Sequence, residues 1–346
     1  MGTLWFCLVA ALLVLYVVLD GFDLGAGVVH LLVARSDAER RLVLRSIGPV
    51  WDGNEVWLLA AGGTLFFAFP VLYASAFSGF YLPLMIVLWL LILRGVSLEF
   101  RNHVDGPIWA PFWDVSFSAS SALLAIFLGA ALGNVVRGVP LDSAGWFFEP
   151  LWTDFRGDGR TGIIDWYTTL VGVAALLALA QHGALWVALK TEAGLRDRAR
   201  RVALRCWWGA AAGTAIITVA TFRVQPHMPA RLAAASWGYL FPLLALGGLA
   251  AMRAVRGRGA DRNAFLASCA YLTGMLASAA FGLYPYVLPS NGDPAHSLSV
   301  RNAAAADYGL EVGVVWWIPG IVLTAAYVTF VYRRFAGKVR IEGSGY

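Results

Sequence analysis

The feature that most constrains this chain is a series of long apolar runs that recurs almost from end to end. A helix rises about 1.5 Å per residue, so roughly 20 apolar residues cross the ~30 Å hydrocarbon core of a bilayer. Only 14% of the residues are charged, which leaves room for many such runs. The chain is therefore predicted to be an all-α polytopic membrane protein forming one domain, residues 1–346. Its nine predicted transmembrane helices cover 3–32, 51–70, 74–98, 111–136, 164–189, 203–222, 231–252, 263–285 and 311–332.

The basic residues predict how these spans are oriented. If the first helix runs from outside to inside, most of the 26 Lys and Arg residues fall on the inner side, as the positive-inside rule requires. This assignment places Arg94, Arg101 and the stretch from Lys190 to Arg205 on the inner side. The N-terminus is then outside and the C-terminus inside. Because the net charge of +5 is spread along one membrane face, it does not indicate a nucleic-acid partner.

Carboxylates inside the apolar runs are the candidate functional residues. In LDGFDLGAGVVHLL, Asp20, Asp23 and His30 share one face of the predicted first helix. An aspartate at the centre of a membrane helix costs about 2.5 to 3.5 kcal/mol, and such residues tend to serve ion or proton pathways. The second span enters from the same side with GPVWDGNEVWLL, which carries Asp52 and Glu55. The four carboxylates are predicted to converge at a similar depth.

Each of these acids also has a purely structural interpretation. Asp52 could cap the second span, with Glu55 completing a capping box. Asp20 and Asp23 could hold the subunit together through buried hydrogen bonds. The candidate relay or interface residues around them are His30, His182, Trp51, Asn54 and Trp57.

The histidines indicate neither a haem nor a metal site in this chain. His182, in AQHGALW, is interpreted either as a hydrogen-bonded core residue or as a proton relay or partner contact. No two histidines have a spacing suited to haem ligation, and no Met or Cys completes a pair. Seven tryptophans are assigned to the aromatic belt at the membrane interfaces, where a quinone or lipid could lie against them: Trp5, Trp51, Trp57, Trp146, Trp152, Trp316 and Trp317.

Glycine spacings and helix breaks bear on packing and on one alternative function. Small residues four apart let membrane helices approach closely, and three such pairs occur: Gly21 with Gly25, Gly129 with Gly133, and Gly209 with Gly213. A stand-alone proton-coupled transporter is the alternative function that the acidic residues inside the spans could serve. Transporters often break their helices near the midplane. Here the interruptions lie near span ends, as at Pro70 and Pro285, which argues against a transporter.

Four segments resemble subunit II of the cytochrome bd-type quinol oxidases. They are LDGFDLGAG, ERRLVLRSIGPVWDGNEVWLLAAGGTLFFAFPVLYASAFSGFYLPL, RGVSLEFR and FGLYPYVLPS. The resemblance covers nearly the whole chain. It implies nine helices arranged as two four-helix bundles plus one peripheral helix, paired with a haem-bearing subunit I.

The resemblance also implies a function and a set of partners. Subunit I would hold two haems b and one haem d and oxidise quinol, and this chain would be the haem-free subunit of a non-pumping, electrogenic oxidase in a bacterial cytoplasmic membrane. Cytoplasmic proton uptake would enter at Asp52 and involve Asp20 and Asp23, with a smaller role for Glu55. Further implied partners are the quinone pool, membrane lipids, small single-helix accessory subunits and a bound quinone or lipid.

Overall fold

The described chain is built almost entirely of α-helices. The computed structural model describes residues 1–104, 106–157, 160–255 and 259–340. The helices are α1 (Gly2–Val33), α2 (Asp37–Ile47), α3 (Trp51–Ala68), α4 (Pro70–Gly79), α5 (Tyr81–Phe100), α6 (Trp109–Arg137), α7 (Trp166–Lys190), α8 (Ala193–Val224), α9 (His227–Ala234), α10 (Leu240–Ala254), α11 (Ala260–Leu283) and α12 (Asp307–Arg334). Two short strands, β1 (Tyr286–Leu288) and β2 (Leu298–Ser299), pair antiparallel in the connection before α12.

Seven helices of the described ranges are long and apolar enough to cross a membrane: α1, α5, α6, α7, α8, α11 and α12. An eighth span results if α9 and the segment Ser236–Ala254, which are bent by 112°, count as one. The predicted number of nine is therefore not confirmed. The predicted span 51–70 corresponds to α3, whose first turns carry Asp52, Asn54 and Glu55 and are correspondingly polar.

Several helix boundaries differ from the prediction. The single span expected over 74–98 is divided at Phe80 into α4 and α5. The basic stretch after Lys190, expected to be a connection, is the first part of α8. Residues 37–47 form α2, which begins after Ser36, whose side chain accepts a hydrogen bond from the Glu39 amide. Arg, Ala and Leu are good helix formers, so the helical segments continue past the apolar residues.

The helix α7 is the centre of the packing. It is the most buried candidate span and contacts α1, α6, α8 and α11. All three predicted glycine pairs lie on its neighbours and face it, which confirms the close packing. An added Cβ would meet α7 atoms at Gly25 (1.9 Å from the Leu179 carbonyl oxygen), Gly129 (2.6 Å from Ala175 Cβ) and Gly209 (2.8 Å from Leu177 Cδ1).

The other helices are arranged around this centre. α3 packs against α1, α5 against α6, and α10 against α11. α12 lies at the periphery, and Leu310 is its only buried residue. The grouping into two four-helix bundles stays a prediction.

The helix ends meet at two opposite ends of the molecule. At one, called here the basic end, α1, α2, α7, α8 and α12 are joined by three side-chain bonds: Arg198 Nε to the Val33 carbonyl (2.6 Å), Trp186 Nε1 to the Ser46 carbonyl (3.0 Å) and Lys190 Nζ to the Phe335 carbonyl (2.6 Å). At the other, called the loop end, the two long connections meet where Asn291 Nδ2 donates to the Gly138 carbonyl at 3.2 Å. The orientation of these ends across the membrane stays a prediction.

Candidate functional site

A fully buried ion pair joins α1 to α5. Arg94 Nη2 donates to Asp20 Oδ1 at 2.5 Å, and Arg94 Nη1 donates to Asp20 Oδ2 at 3.1 Å. Both side chains have zero exposure. A two-point guanidinium–carboxylate contact fixes geometry as well as charge, and each buried charge is stable only while its partner is present. The Asp20 carboxylate is therefore held in a fixed position by Arg94.

Arg94 was assigned to the inner side of the membrane, and that assignment stays a prediction. Arg94 lies within α5, in the run LMIVLWLLILRGV, because its charge is matched inside the protein. A single arginine inside such an apolar run indicates a charged partner within the membrane-spanning helices, and this signal was present in the sequence. Arg101, assigned to the same side, is also buried, at 2% exposure.

A row of hydrogen bonds connects the second aspartate to α12. Asn54 Nδ2 donates to Asp23 Oδ2 at 2.7 Å, and the Tyr332 hydroxyl donates to Asn54 Oδ1 at 2.8 Å. The other carboxylate oxygen of Asp23 is buried without a hydrogen-bond partner among the described residues. Asp23, Asn54 and Tyr332 are called here the polar row. The sequence offered no signal for Tyr332, which is 278 positions from Asn54.

Asp52 lies apart from the buried acids. It is exposed and forms no hydrogen bond or ion pair with residues in the described ranges; on the same outer face of α3, Val56 is 51% and Leu59 72% exposed. The N-cap of α3 is Val50, without a side-chain bond, so the capping interpretation of Asp52 is wrong. The structure thus brings Asp20 and Asp23 together and leaves Asp52 at the surface.

Glu55 lies between the exposed and the buried acids. It is half-buried, one turn after Asp52 on α3, and is within electrostatic range of Arg94, Asp20 and Asp52. The four predicted carboxylates therefore form a gradient of burial and not one cluster.

His30 belongs to a separate charged cluster nearer the basic end. Its Nε2 lies 2.7 Å from Asp114 Oδ1, and Asp114 also accepts from Arg101 Nε at 2.6 Å and Arg40 Nη1 at 3.1 Å. Arg101 Nη2 donates in addition to Asp37 at 2.7 Å. The cluster ties α1, α2 and α6 to the end of α5. The sequence did not single out Asp114 as a functional residue, because acidic residues are common near the start of a helix.

The two acids of α2 are held in ionised form. Burial alone would raise the pKa of Asp37, but the hydrogen bonds and charges of Arg101 and Arg41 outweigh it and lower that pKa below its ordinary value. Burial likewise opposes ionisation of Glu39, whose pKa is nevertheless lowered by bonds from the Arg35 amide and from Arg198. Ionised α2 acids therefore hold this helix against α8 and the end of α5.

His182 is buried with partners at both ring nitrogens. Nδ1 lies 2.7 Å from Ser268 Oγ, and Nε2 lies 2.9 Å from the Val18 carbonyl oxygen. The ring stacks on Phe265 at 4.8 Å. Its function as relay or partner contact stays a prediction.

The tryptophans divide into buried and surface residues. Trp57 is 6% exposed and packs with Tyr16 between α1 and α3, and Trp5 donates to the Leu310 carbonyl at 3.1 Å and is 2% exposed. Their assignment to the aromatic belt is wrong, because neighbouring helices cover both rings. Trp51 is half-buried, and its ring lies beside Gly95.

A further buried cluster at the loop end was not predicted. Arg137 Nη2 donates to Glu149 Oε2 at 2.8 Å and to Asn134 Oδ1 at 2.8 Å, and Arg137 Nη1 bonds Asp165. Asp165 also caps α7 by accepting from the Tyr167 and Thr168 amides. The cluster pins the long connection 138–165 onto α6 and α7.

All five histidines are hydrogen-bonded within the protein. All five lie in the described part of the chain, and the remaining three, like His30 and His182, have partners within it: His103 bonds the Glu99 carbonyl, His227 the Tyr284 carbonyl and His296 the Leu141 carbonyl. Across the described ranges, no three His, Cys, Asp or Glu side chains are grouped so as to hold a metal ion.

Apolar helices around a buried ion pair and a polar row define a polytopic membrane protein with ionisable groups inside its helical body. The family model described as cytochrome bd terminal oxidase subunit II matches residues 1–335, and the chain belongs to that family. This confirms the resemblance seen in the sequence and favours an oxidase subunit over a transporter.

Relatives of nearly equal length agree with this membership. The chain is 31% identical to the probable cytochrome oxidase subunit 2 of Haemophilus influenzae, over 97% of this chain and 94% of the relative. It is 32% identical to the cytochrome bd ubiquinol oxidase subunit 2 of Bacillus subtilis, over 96% and 95%. The bd oxidase structure from Geobacillus thermodenitrificans has a similar fold, with a TM-score of 0.69 at 18% identity, over 96% of this chain and 98% of that one.

Proposed function

We propose that this chain is the haem-free second subunit of a bd-type quinol:oxygen oxidoreductase in a bacterial cytoplasmic membrane. In this proposal it pairs with a haem-bearing subunit I and admits protons from the cytoplasm for the reduction of oxygen to water. Relatives named as ubiquinol oxidase subunits support the reaction class. The excess of Lys and Arg at the basic end supports a cytoplasmic position for that end.

The observation that carries the proton role is the gradient of burial along the acids. Asp52 is exposed, Glu55 is half-buried, and Asp20 and Asp23 are fully buried. Glu55 is within electrostatic range of Asp52 on one side and Asp20 on the other. A series of carboxylates that leads from a surface into the interior suits proton entry, because each can bind and release a proton.

The two buried aspartates have different parts in this proposal. Asp20 has Arg94 as its buried ion-pair partner. Asp23 forms no ion pair with the described residues, and a buried carboxylate without an ion-pair partner tends to be neutralised by binding a proton. Asn54 and Tyr332 fix the position of one Asp23 oxygen and leave the other for proton exchange. Asp23 is therefore the residue that holds the proton.

The partner would supply the redox groups, and this chain would supply the protons. Reduction of oxygen to water consumes protons, and quinol oxidation releases them. If uptake is from the inside and release to the outside, turnover is electrogenic without a pump.

The test substitutes Asp23→Asn and Asp52→Asn in the assembled oxidase. Asparagine keeps the shape and hydrogen-bonding capacity of the side chain and removes the exchangeable proton. Quinol-driven oxygen consumption is expected to fall roughly 10- to 100-fold for Asp23→Asn. A positioned proton-transfer group contributes about 100- to 10,000-fold to a rate, so the expected loss is at or below the low end of that range. The loss should be smaller for Asp52→Asn, because water can replace an exposed carboxylate.

The matched control is Asp197→Asn, which removes an exposed acid of α8 near the basic end. It should leave turnover unchanged. The haem absorbance spectrum reports assembly in every variant. Normal turnover of Asp23→Asn, or a loss only in proportion to lost haem, would reject the proton role and favour the structural interpretation.

A further inference from the structure

A cavity of about 480 Å³ opens at the basic end, between α2, α7, α12 and the segment 335–340 that follows α12. Its lining contains five basic side chains and, among the described residues, no Asp or Glu. They are Arg45, Lys190, Arg334, Lys338 and Arg340. A volume of this size is ordinary for a small-molecule or headgroup site.

Both lysines of the chain line this cavity. Lys190 Nζ donates to the Phe335 carbonyl at 2.6 Å, and Lys338 Nζ donates to the carbonyls of Ala188 (3.2 Å) and Thr191 (2.7 Å). These bonds fasten segment 335–340 to the end of α7. The acceptors are uncharged, and neither ammonium forms an ion pair with the described residues. Each ammonium has three donors, and at least one on each lysine is left for a ligand.

Two arginines of the cavity, Arg334 and Arg340, differ from most arginines at the basic end in their ion pairing. Neither forms an ion pair with the described residues. Outside the cavity the arginines of this end are widely paired with acids: Arg40 and Arg101 with Asp114, Arg198 with Glu39, and Arg196 and Arg200 with Asp261. The cavity thus brings together four basic side chains that form no ion pair with the described residues: Lys190, Arg334, Lys338 and Arg340.

The inner wall of the cavity is aromatic. Trp186 and Tyr332 line it, and Lys190 Nζ lies 5.0 Å from the centre of the Trp186 ring. The cavity therefore combines cations with an apolar wall at the ends of membrane helices. Basic pockets between such helices on the cytoplasmic side bind the headgroups of anionic lipids.

We propose that this cavity binds a phosphate-bearing anion, with its phosphate between the lysines and Arg334 and Arg340. Its place at the ends of α7 and α12 favours an anionic phospholipid headgroup as the source over a soluble phosphate. No carboxylate of the proposed proton path lines the site; Tyr332 of the polar row does line it, and the variants below leave that residue unchanged.

The two lysines allow a direct footprint on the assembled oxidase. The purified complex is stripped of lipid in detergent and treated with a water-soluble acylating reagent, and modification of Lys190 and Lys338 is followed by peptide mass spectrometry. Phosphatidylglycerol is expected to slow acylation of both lysines several-fold, and phosphatidylcholine to leave it unchanged. Removing two cations with Arg334→Gln and Arg340→Gln should raise the phosphatidylglycerol concentration needed for protection roughly 30-fold.

The control removes two exposed arginines of α8 with Arg201→Gln and Arg205→Gln and should keep full protection. Protection by inorganic phosphate but not by phosphatidylglycerol would support the site with a soluble anion as its source. The proposal is overturned if neither anion protects, or if the Arg334 and Arg340 double variant is protected like the wild type. If the lysines resist acylation, native mass spectrometry of retained phosphatidylglycerol in the same variants gives the answer.

Discussion

At the scale of single residues, surroundings separate three aspartates that look alike in the sequence. Asp20 is paired with Arg94, Asp23 is bonded to an amide, and Asp52 is exposed. The free energy of an ionised carboxylate depends on its solvation and its partners. The three positions therefore respond differently to the same substitution.

Substitution of Arg94 should show that the ion pair with Asp20 acts as a unit. Arg94→Leu leaves a buried carboxylate without its cation, and we expect a loss of about 3 to 5 kcal/mol in stability. Arg94→Leu combined with Asp20→Leu should recover most of that loss, because no charge is left buried. Thermal melting of the assembled oxidase measures both. A double variant no more stable than Arg94→Leu would show that the charge of Asp20 is not the cause.

The residues of the candidate site were only partly predictable. Asp20, Asp23, Asn54 and Glu55 stand out because polar groups in apolar runs are costly. Arg94 and Tyr332 were missed as partners, since the contacts of α1 with α5 and of α3 with α12 join residues 74 and 278 positions apart. Spacing along one helix does not report which other helix faces it.

At the scale of helices, the close approach of α1 to α7 depends on glycine. A Cβ on Gly183 would lie 2.1 Å from the Ala26 amide nitrogen and 2.1 Å from the Gly25 carbonyl carbon. Both neighbours are backbone and cannot turn aside. The two helices can keep this distance only without a side chain at the crossing.

Gly183→Ala should therefore destabilise the chain more than an ordinary glycine substitution. We expect a loss of about 1 to 3 kcal/mol or more from overpacking, measured as a lower melting temperature of the oxidase. Gly247→Ala on α10 is the control, since a Cβ there meets nothing within 4 Å. Equal melting temperatures for the two variants would contradict the tight crossing.

The helix α2 is held by acids whose charge depends on pH. The pKa values of Asp37 and Glu39 are lowered in the folded chain, so their contribution is complete above the ordinary carboxyl pKa near 4 and is lost as the pH falls below it. At neutral pH, Glu39→Gln should mimic that loss. We expect faster trypsin cleavage at Arg40 and Arg41 in the purified oxidase.

The control for this digestion is Glu192→Gln, at an exposed residue before α8 whose side chain makes no cap. It should be cleaved at the wild-type rate. Unchanged cleavage of the Glu39 variant would show that packing alone holds α2.

Helix existence was predictable, but several helix limits were not. Apolar runs report which residues meet lipid or protein interior, and α2 and the first turns of α8 are helical without being apolar. The division at Phe80 falls inside a predicted span, directly after Ser78 and Gly79 and before Pro83. Hydrophobicity therefore located the helical regions without marking where each helix begins.

At the scale of the whole molecule, the buried charged side chains form three groups at different levels along the helices. The Asp114 cluster lies near the basic end, the Asp20–Arg94 pair deeper along α1, and the Arg137 cluster at the loop end. Large apolar side chains cover much of the outer surface. The fold class and family could be predicted from composition and motifs, whereas the pairing within each level required the packing of distant helices.

The slight burial of α12 has a consequence for how this chain can change. Leu310 near its start and Tyr332 near its finish have specific partners, whereas Val322, Leu323 and Phe330 are 60% or more exposed. Substitutions in the middle of α12 are then limited only by the need for a hydrophobic side chain. Homologous proteins should exchange these residues freely with one another while conserving the two anchoring positions.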